Sequence, residues 1–107
     1  MFRNDEQLAV VCQALVTRVG LASLWTPEGP AERAKELLKQ EGGPLSHGEK
    51  VMLFLAWSFC NGHGGLTVAE LVDTLDKGNL TAVGELLVAL AEGPAAVDAW
   101  LENESHP

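Results

Sequence analysis

The sequence has few basic residues, and this shortage argues against several kinds of partner. Seven Lys and Arg residues stand against fifteen Asp and Glu residues, so the formal net charge is −8 at pH 7. No Lys or Arg follows Lys77. Because a strongly acidic chain repels phosphate backbones and anionic lipid surfaces, we expect neither a nucleic-acid nor a membrane partner. A partner protein with a basic surface is the expected alternative.

Cysteine is also scarce. The chain contains only Cys12 and Cys60, which is not the dense disulfide framework of small secreted domains. Residues 1–7 are polar and lack the apolar segment of a signal peptide. The longest apolar run, residues 51–57, is far shorter than the roughly 20 residues of a membrane span. These features predict a reduced, soluble, cytoplasmic protein.

Tyrosine and alternating strand patterns are absent, and the apolar residues recur with helical spacing instead. The 107 residues, 47% of them hydrophobic, suffice for one domain with one core. We predict an all-α fold, a compact single-domain bundle of about six short helices with a helix-turn-helix-like core. The domain is predicted to span residues 1–103, and residues 104–107 to form a polar tail.

Start and stop signals place the helices along the chain. Capping boxes are predicted at residues 4–7, 46–49 and 67–70. The first helix is predicted to continue through residues 21–25 if Gly20 is tolerated, and Pro30 to begin the second helix.

Apolar spacing then predicts which side chains face the core. The segment from Val51 to Cys60 is apolar on nearly all sides and should lie centrally. Residues 76–79 read as a turn. The positions assigned to apolar contacts in the later helices are Leu66, Val68, Leu71, Val72, Leu75, Leu80, Val83, Leu86, Leu87, Leu90, Val97, Trp100 and Leu101.

A cysteine and a histidine with ligand-like spacing, Cys60 and His63, form a candidate chemical site. Zinc in structural sites takes four ligands, and the chain has no second C-x-x-C or C-x-x-H pair. A nucleophilic Cys–His pair needs a partly exposed thiolate, whereas Cys60 ends the most apolar helix. A metal- or thiol-dependent site at these two residues is therefore kept only as a second alternative.

The same stretch also resembles a calcium-binding loop in length. If residues 59–70 were that loop, Phe59 and His63 would stand where a hard cation needs oxygen ligands. Glycines at positions 62, 64 and 65 instead favour a helix–helix turn. We therefore predict no catalytic, cofactor-binding or metal-binding residue, no cofactor and no enzymatic activity.

Residues 44–93 carry three successive helix signals. They read P-L-S-H-G-E-K-V-M-L-F-L-A, then G-G-L-T-V-A-E-L-V-D-T-L, then N-L-T-A-V-G-E-L-L-V-A-L-A-E-G. This order resembles the core of winged helix-turn-helix regulators, and the resemblance implies that the third helix would enter a DNA major groove. That helix presents Thr81, Gly84 and Glu85, without the basic or amide side chains that contact bases. Residues 94–101 read as a helix where the wing hairpin would lie.

Two functions from different classes follow. The favoured one is a small acidic, non-enzymatic protein–protein interaction or regulatory module, with Trp25 and Trp100 as candidate interaction residues, because Trp is enriched at binding hot spots. The alternative is a dimeric helix-turn-helix transcriptional regulator that meets DNA through cations of the first half, namely Arg3, Arg18, Arg33, Lys35 and Lys39. Self-association is left open, since Val10, Val88 and Ala89 lie at the edges of their helices' inner faces.

Overall fold

The protein is a small all-α domain. In its computed structural model, residues 5–26, 29–39, 43–61 and 67–105 are described. Within them, six α-helices follow one another: α1 Asp5–Arg18, α2 Glu32–Lys39, α3 His47–Asn61, α4 Val68–Thr74, α5 Lys77–Glu92 and α6 Pro94–Ser105. The all-α prediction is thereby confirmed. The three helices of the helix-turn-helix resemblance coincide with α3, α4 and α5, but the family resemblance itself stays a prediction.

One hydrophobic core joins the helices. Its largest fully buried side chains come from α1, α3, α5 and α6, and they are Val11, Cys12, Leu15, Val16, Met52, Leu53, Val83, Leu86 and Val97. The central position predicted for α3 is confirmed, because neighbouring elements cover nearly every side of its middle. The buried residues there are Val51, Met52, Leu53, Leu55 and Ala56. Each large apolar side chain buried in this way contributes about 1.5–3 kcal/mol.

The segment after α1 differs from its prediction. The helix ends at Arg18, and Gly20 takes a positive φ of 78°. The Gly20 N–H donates to the Thr17 carbonyl at 3.0 Å and the Leu21 N–H to the Val16 carbonyl at 2.8 Å, the pair of bonds that ends a helix in a Schellman motif. The prediction that α1 continues through residues 21–25 is therefore wrong.

A pair of two-residue strands follows, after a short 3-10 helix at Ala22–Leu24. The strands are β1 Trp25–Thr26 and β2 Gly29–Pro30, antiparallel, with Trp25 opposite Pro30 and Thr26 opposite Gly29. The Thr26 hydroxyl donates to the Gly29 carbonyl at 2.9 Å, which closes the hairpin. Two-residue strands are too short to show an alternating pattern in the sequence, so the sequence does not reveal them. Pro30 lies in β2 and not at the start of α2, which begins at Glu32.

Two of the three predicted capping boxes are confirmed. Ser46 and Glu49 exchange bonds of 3.1 and 2.7 Å, and Thr67 and Glu70 exchange bonds of 3.1 and 3.2 Å. The box predicted at residues 4–7 lies outside the described residues at Asn4. Asp76 accepts from the Asn79 N–H at 2.8 Å, so residues 76–79 form the capped start of α5 and not a turn.

Three side chains predicted to face the core face solvent. Val68 is 76% exposed, Val72 56% and Leu87 51%. On the seven-residue α4, only one narrow stripe meets the core: Leu71 lies on it, and the C-cap residue Leu75 continues it. Helical spacing alone made the apolar stripe too wide.

The C-terminal helix is longer than predicted and is tied to α1 at two points. The Gln7 amide nitrogen donates to the Pro94 carbonyl at 2.9 Å and to the Asp98 carboxylate at 2.8 Å. At the other end, Arg18 Nη1 lies 2.9 Å from Glu104 Oε1. Glu104 therefore belongs to α6 and to the domain, not to a polar tail, because its carboxylate has a partner on another helix.

Candidate interaction groove

The cysteine–histidine prediction cannot be placed in the structure. His63 and the side chain of Cys60 lie outside the described residues. The other cysteine, Cys12, is fully buried and its thiol donates to the Ala56 carbonyl at 3.1 Å. Among the residues that the structure describes, no three His, Cys, Asp or Glu side chains gather as a metal site would require.

The two candidate interaction residues are core residues. Trp25 is 6% exposed and Trp100 is 5% exposed, so neither offers the exposed indole that the sequence interpretation needed. The physical reason is their position: Trp25 lies in β1, which packs against α1, and Trp100 lies on the face of α6 that packs on α5. The Trp100 Nε1 donates to the Ala82 carbonyl at 3.0 Å, which satisfies its polar atom in a buried setting.

The positions singled out for self-association separate into two kinds. Val10 is 54% exposed and Val88 is 58% exposed, whereas Ala89 is buried. Val88 and Ala89 lie side by side on α5, one at the surface and the other beneath it. They belong to a larger surface feature.

That feature is an open groove between α5 and α6, here called the α5–α6 groove. It encloses about 300 Å³ and is lined by Glu85, Val88, Ala89, Glu92, Ala96, Ala99, Trp100 and Asn103. The lining positions are 85, 88, 89 and 92 on α5 and 96, 99, 100 and 103 on α6. With this spacing, each set lies on one face of its helix for about two turns. The side chains at the middle of the groove are apolar, with Val88 exposed and Ala89 and Trp100 buried, and α5 contributes a carboxylate near each end.

The electrostatics of the groove are one-sided. Beyond Lys77 the chain carries five carboxylates and no Lys or Arg, and the carboxylates are Glu85, Glu92, Asp98, Glu102 and Glu104. Glu104 is paired with Arg18, and Asp98 accepts from Gln7. Within the described part of the chain, Glu85 and Glu92 take part in no ion pair, and both are exposed. Their charge is therefore directed at solvent beside an apolar surface.

The cations expected to meet DNA are mostly engaged elsewhere. Arg18 donates to Glu104, to the Asn79 side chain at 2.7 Å and to the Gly78 carbonyl at 3.1 Å. Lys35 pairs with Glu32 at 3.3 Å, and Arg33 lies 3.8 Å from a Glu36 oxygen. Arg3 lies outside the described residues, and Lys39 is exposed at the end of α2.

Comparison with known proteins adds no relative: no family model matches the chain, and no curated protein or solved structure is significantly similar to it. The groove must therefore be interpreted from its own residues. Of the helices in the described ranges, none has both the length and the apolar content to cross a membrane.

The sequence alone indicates part of this groove. Val88, Ala89 and Trp100 are candidates for association or interaction and Glu85 is an expected exposed residue of its helix, whereas nothing in the sequence analysis selects Glu92, Ala96, Ala99 or Asn103. The sequence does contain a pattern that indicates the groove: the spacing of residues 85, 88, 89 and 92 recurs at residues 96, 99, 100 and 103, on the other side of Gly93. Two such rows on consecutive helices indicate two faces that meet when the helices pack side by side.

Proposed function

We propose that this chain is a small non-enzymatic protein–protein interaction or regulatory module that binds a basic partner protein through its acidic C-terminal helices. The observation that carries the proposal is the position of Glu85 and Glu92, two exposed carboxylates without ion pairs in the described structure, beside the exposed Val88 in an open groove between α5 and α6. A cytoplasmic location is part of the same proposal and rests on the low cysteine content.

The arrangement supports recognition better than solubility alone. Acidic residues that only keep a protein soluble need no particular neighbours and are best interspersed with cations. Here cations are missing from the whole of residues 78–105, while the carboxylates lie beside apolar surface. An acidic surface of this kind speeds association with basic proteins and rejects acidic ones.

DNA binding is not what we propose. The helix α5, which would be the recognition helix in the helix-turn-helix resemblance, carries Glu85 and Glu92 on its exposed side and no cation after Lys77. Phosphate contacts by Lys and Arg drive most protein–DNA association, and Arg18 is already held by Glu104.

Affinity capture with matched charge variants tests the proposal. The wild-type protein, E85Q/E92Q and E32Q/E36Q are immobilised and exposed to an extract of the source cells. Both double variants remove two carboxylates, but only the first removes them from the α5–α6 groove. We expect a basic protein that is retained by wild type and E32Q/E36Q, lost from E85Q/E92Q, and released when salt rises from about 50 mM to about 300 mM, where screening shortens.

Two results would count against this function. One is the capture of the same proteins by all three baits, which would make the groove carboxylates irrelevant. The other is retention that survives high salt and selects acidic or neutral proteins, because charge complementarity would then play no part.

A further inference from the structure

We propose that the α5–α6 groove is the docking site for one amphipathic α-helix of the partner, with an apolar face and with Lys or Arg at its edges. This inference rests on the proposed function and adds the secondary structure of the ligand and its pattern of residues. Shape, side-chain size and charge each support it.

The shape of the groove fits a helix. Its two walls are the faces of packed helices, and each wall runs for eight residue positions, from 85 to 92 on α5 and from 96 to 103 on α6. At 1.5 Å per residue, each wall is about 10 Å long, or two helical turns. A third helix laid along two others places its ridges in the groove between them, as helices do when they bind in grooves.

The side chains leave room for apolar anchors. Three of the lining residues are alanines, at positions 89, 96 and 99, so the groove is open where larger residues would fill it. Val88 is 58% exposed on one wall, and the indole of Trp100 lies between the walls, fixed by its bond to Ala82. Large apolar side chains of a partner helix, spaced by three or four residues, can therefore supply the missing volume.

The charge of the groove selects the edges of that helix. Glu85 and Glu92 are seven residues apart on the same wall, two turns of α5, so they meet cations with the same separation on a helix that runs alongside. A second copy of this chain would bring carboxylates against carboxylates, which disfavours self-association through this surface.

A designed peptide tests the docking directly. The probe is a fluorescent peptide of about 18 residues made of Leu and Lys, with Leu at helical spacing on one face; a peptide of this length forms a stable helix more readily than a shorter one. One control peptide has the same composition with Leu spread around the helix, and another has Glu in place of Lys. We expect the first peptide to bind at least about tenfold more tightly than either control, a difference of about 1.4 kcal/mol.

Two protein variants locate the binding site. V88D places a charge in the groove, and V72D makes the same substitution on α4 at a residue that is 56% exposed, close to the 58% of Val88. Both have the same net charge and neither disturbs a buried residue, so both should fold, as circular dichroism will check. We expect V88D to lose about tenfold or more in affinity and V72D to bind like wild type.

The outcomes separate this inference from the function beneath it. Equal binding of the Leu-dispersed peptide, or equal effects of V88D and V72D, overturns groove docking while salt-sensitive capture of a basic protein can still stand. Absence of peptide binding at about 50 mM salt also overturns docking, since attraction is strongest there. A dimer in sedimentation equilibrium that V88D dissociates would assign the groove to a second copy and overturn the proposal as well.

Discussion

The indole nitrogen of Trp100 lies 3.0 Å from the carbonyl oxygen of Ala82 and donates a hydrogen bond to it. This bond crosses from α6 to α5 and is buried, because Trp100 is 5% exposed. It holds together the two helices whose outer faces form the α5–α6 groove. The groove therefore depends on the packing that this residue supports.

Replacing Trp100 with Phe should lower the free energy of unfolding by about 1–3 kcal/mol. The substitution leaves the Ala82 carbonyl without this donor and removes part of a buried ring, and both changes destabilise a core. Urea denaturation monitored by circular dichroism measures the difference. A change below about 0.5 kcal/mol, the size typical of surface substitutions, would mean that the bond contributes little.

Arg18 should stabilise the domain more than other arginines do. It bonds to Glu104, Asn79 and the Gly78 carbonyl, and the Arg18 and Glu104 side chains are only 29% and 18% exposed. R18A should therefore cost about 1–3 kcal/mol of unfolding free energy, since hydrogen bonds to a charged group of this kind contribute that much.

The matched control is R33A. Arg33 and Glu36 lie 3.8 Å apart with side chains 63% and 66% exposed, so their pair should contribute about 0–1 kcal/mol. A double-mutant cycle of Arg18 and Glu104 isolates the coupling between them. If R18A and R33A destabilise equally, the contacts of Arg18 do not act as a link between helices.

Thr67 should be needed for the start of α4. Its hydroxyl accepts from the Glu70 N–H at 3.1 Å, so T67A should cost about 1 kcal/mol, the usual effect of losing an N-cap. T81A on the exposed side of α5 is the control and should be neutral or slightly stabilising, because Ala has the higher helix propensity. Thermal melts compare the two, and an equal effect would contradict the capping role.

Two glycines should respond to alanine in opposite directions. Gly93 has φ 121° between α5 and α6, whereas Gly84 is inside α5, and an added Cβ would meet nothing within 4 Å at either position. G93A should destabilise by about 1–3 kcal/mol through backbone strain, and G84A should stabilise by about 0.5–1 kcal/mol through helix propensity. Destabilisation by G84A would indicate that close packing, not propensity, decides at that position.

The prediction that Cys60 and His63 bind no metal also has a direct test. Elemental analysis of protein purified without a histidine tag should give far less than one zinc per chain, because a structural zinc site needs two ligands besides this pair. Stoichiometric zinc that C60A removes without unfolding the protein would support a site there. C60A that only destabilises would support the predicted core role of the cysteine.

The sequence predicts the helices well because their signals are local. The caps at Ser46 and Thr67 need only residues three positions away, and the apolar middle of α3 needs no knowledge of its neighbours. The failures at Val68 and Val72 have the opposite cause. How much of a helix is covered depends on which helices lie against it, and spacing along one helix does not contain that information.

The candidate groove is at the boundary of what sequence can supply. The row that includes Val88 and the row that includes Trp100 are each visible in the chain, but their joining depends on how α6 packs against α5 after Gly93. The burial of Trp100 follows from the same packing, which is why an indole proposed as an exposed anchor instead supports the groove from within.

The most direct test of the account is an amide chemical-shift map of the ¹⁵N-labelled protein titrated with the Leu/Lys helix. If the helix docks in the α5–α6 groove, the largest chemical-shift changes should cluster at residues 85–103, around Val88, Ala99 and Asn103. The shifts of α4, around Val72, should stay nearly unchanged. Changes centred on α4 or α2, or spread evenly over the acidic surface, would contradict it.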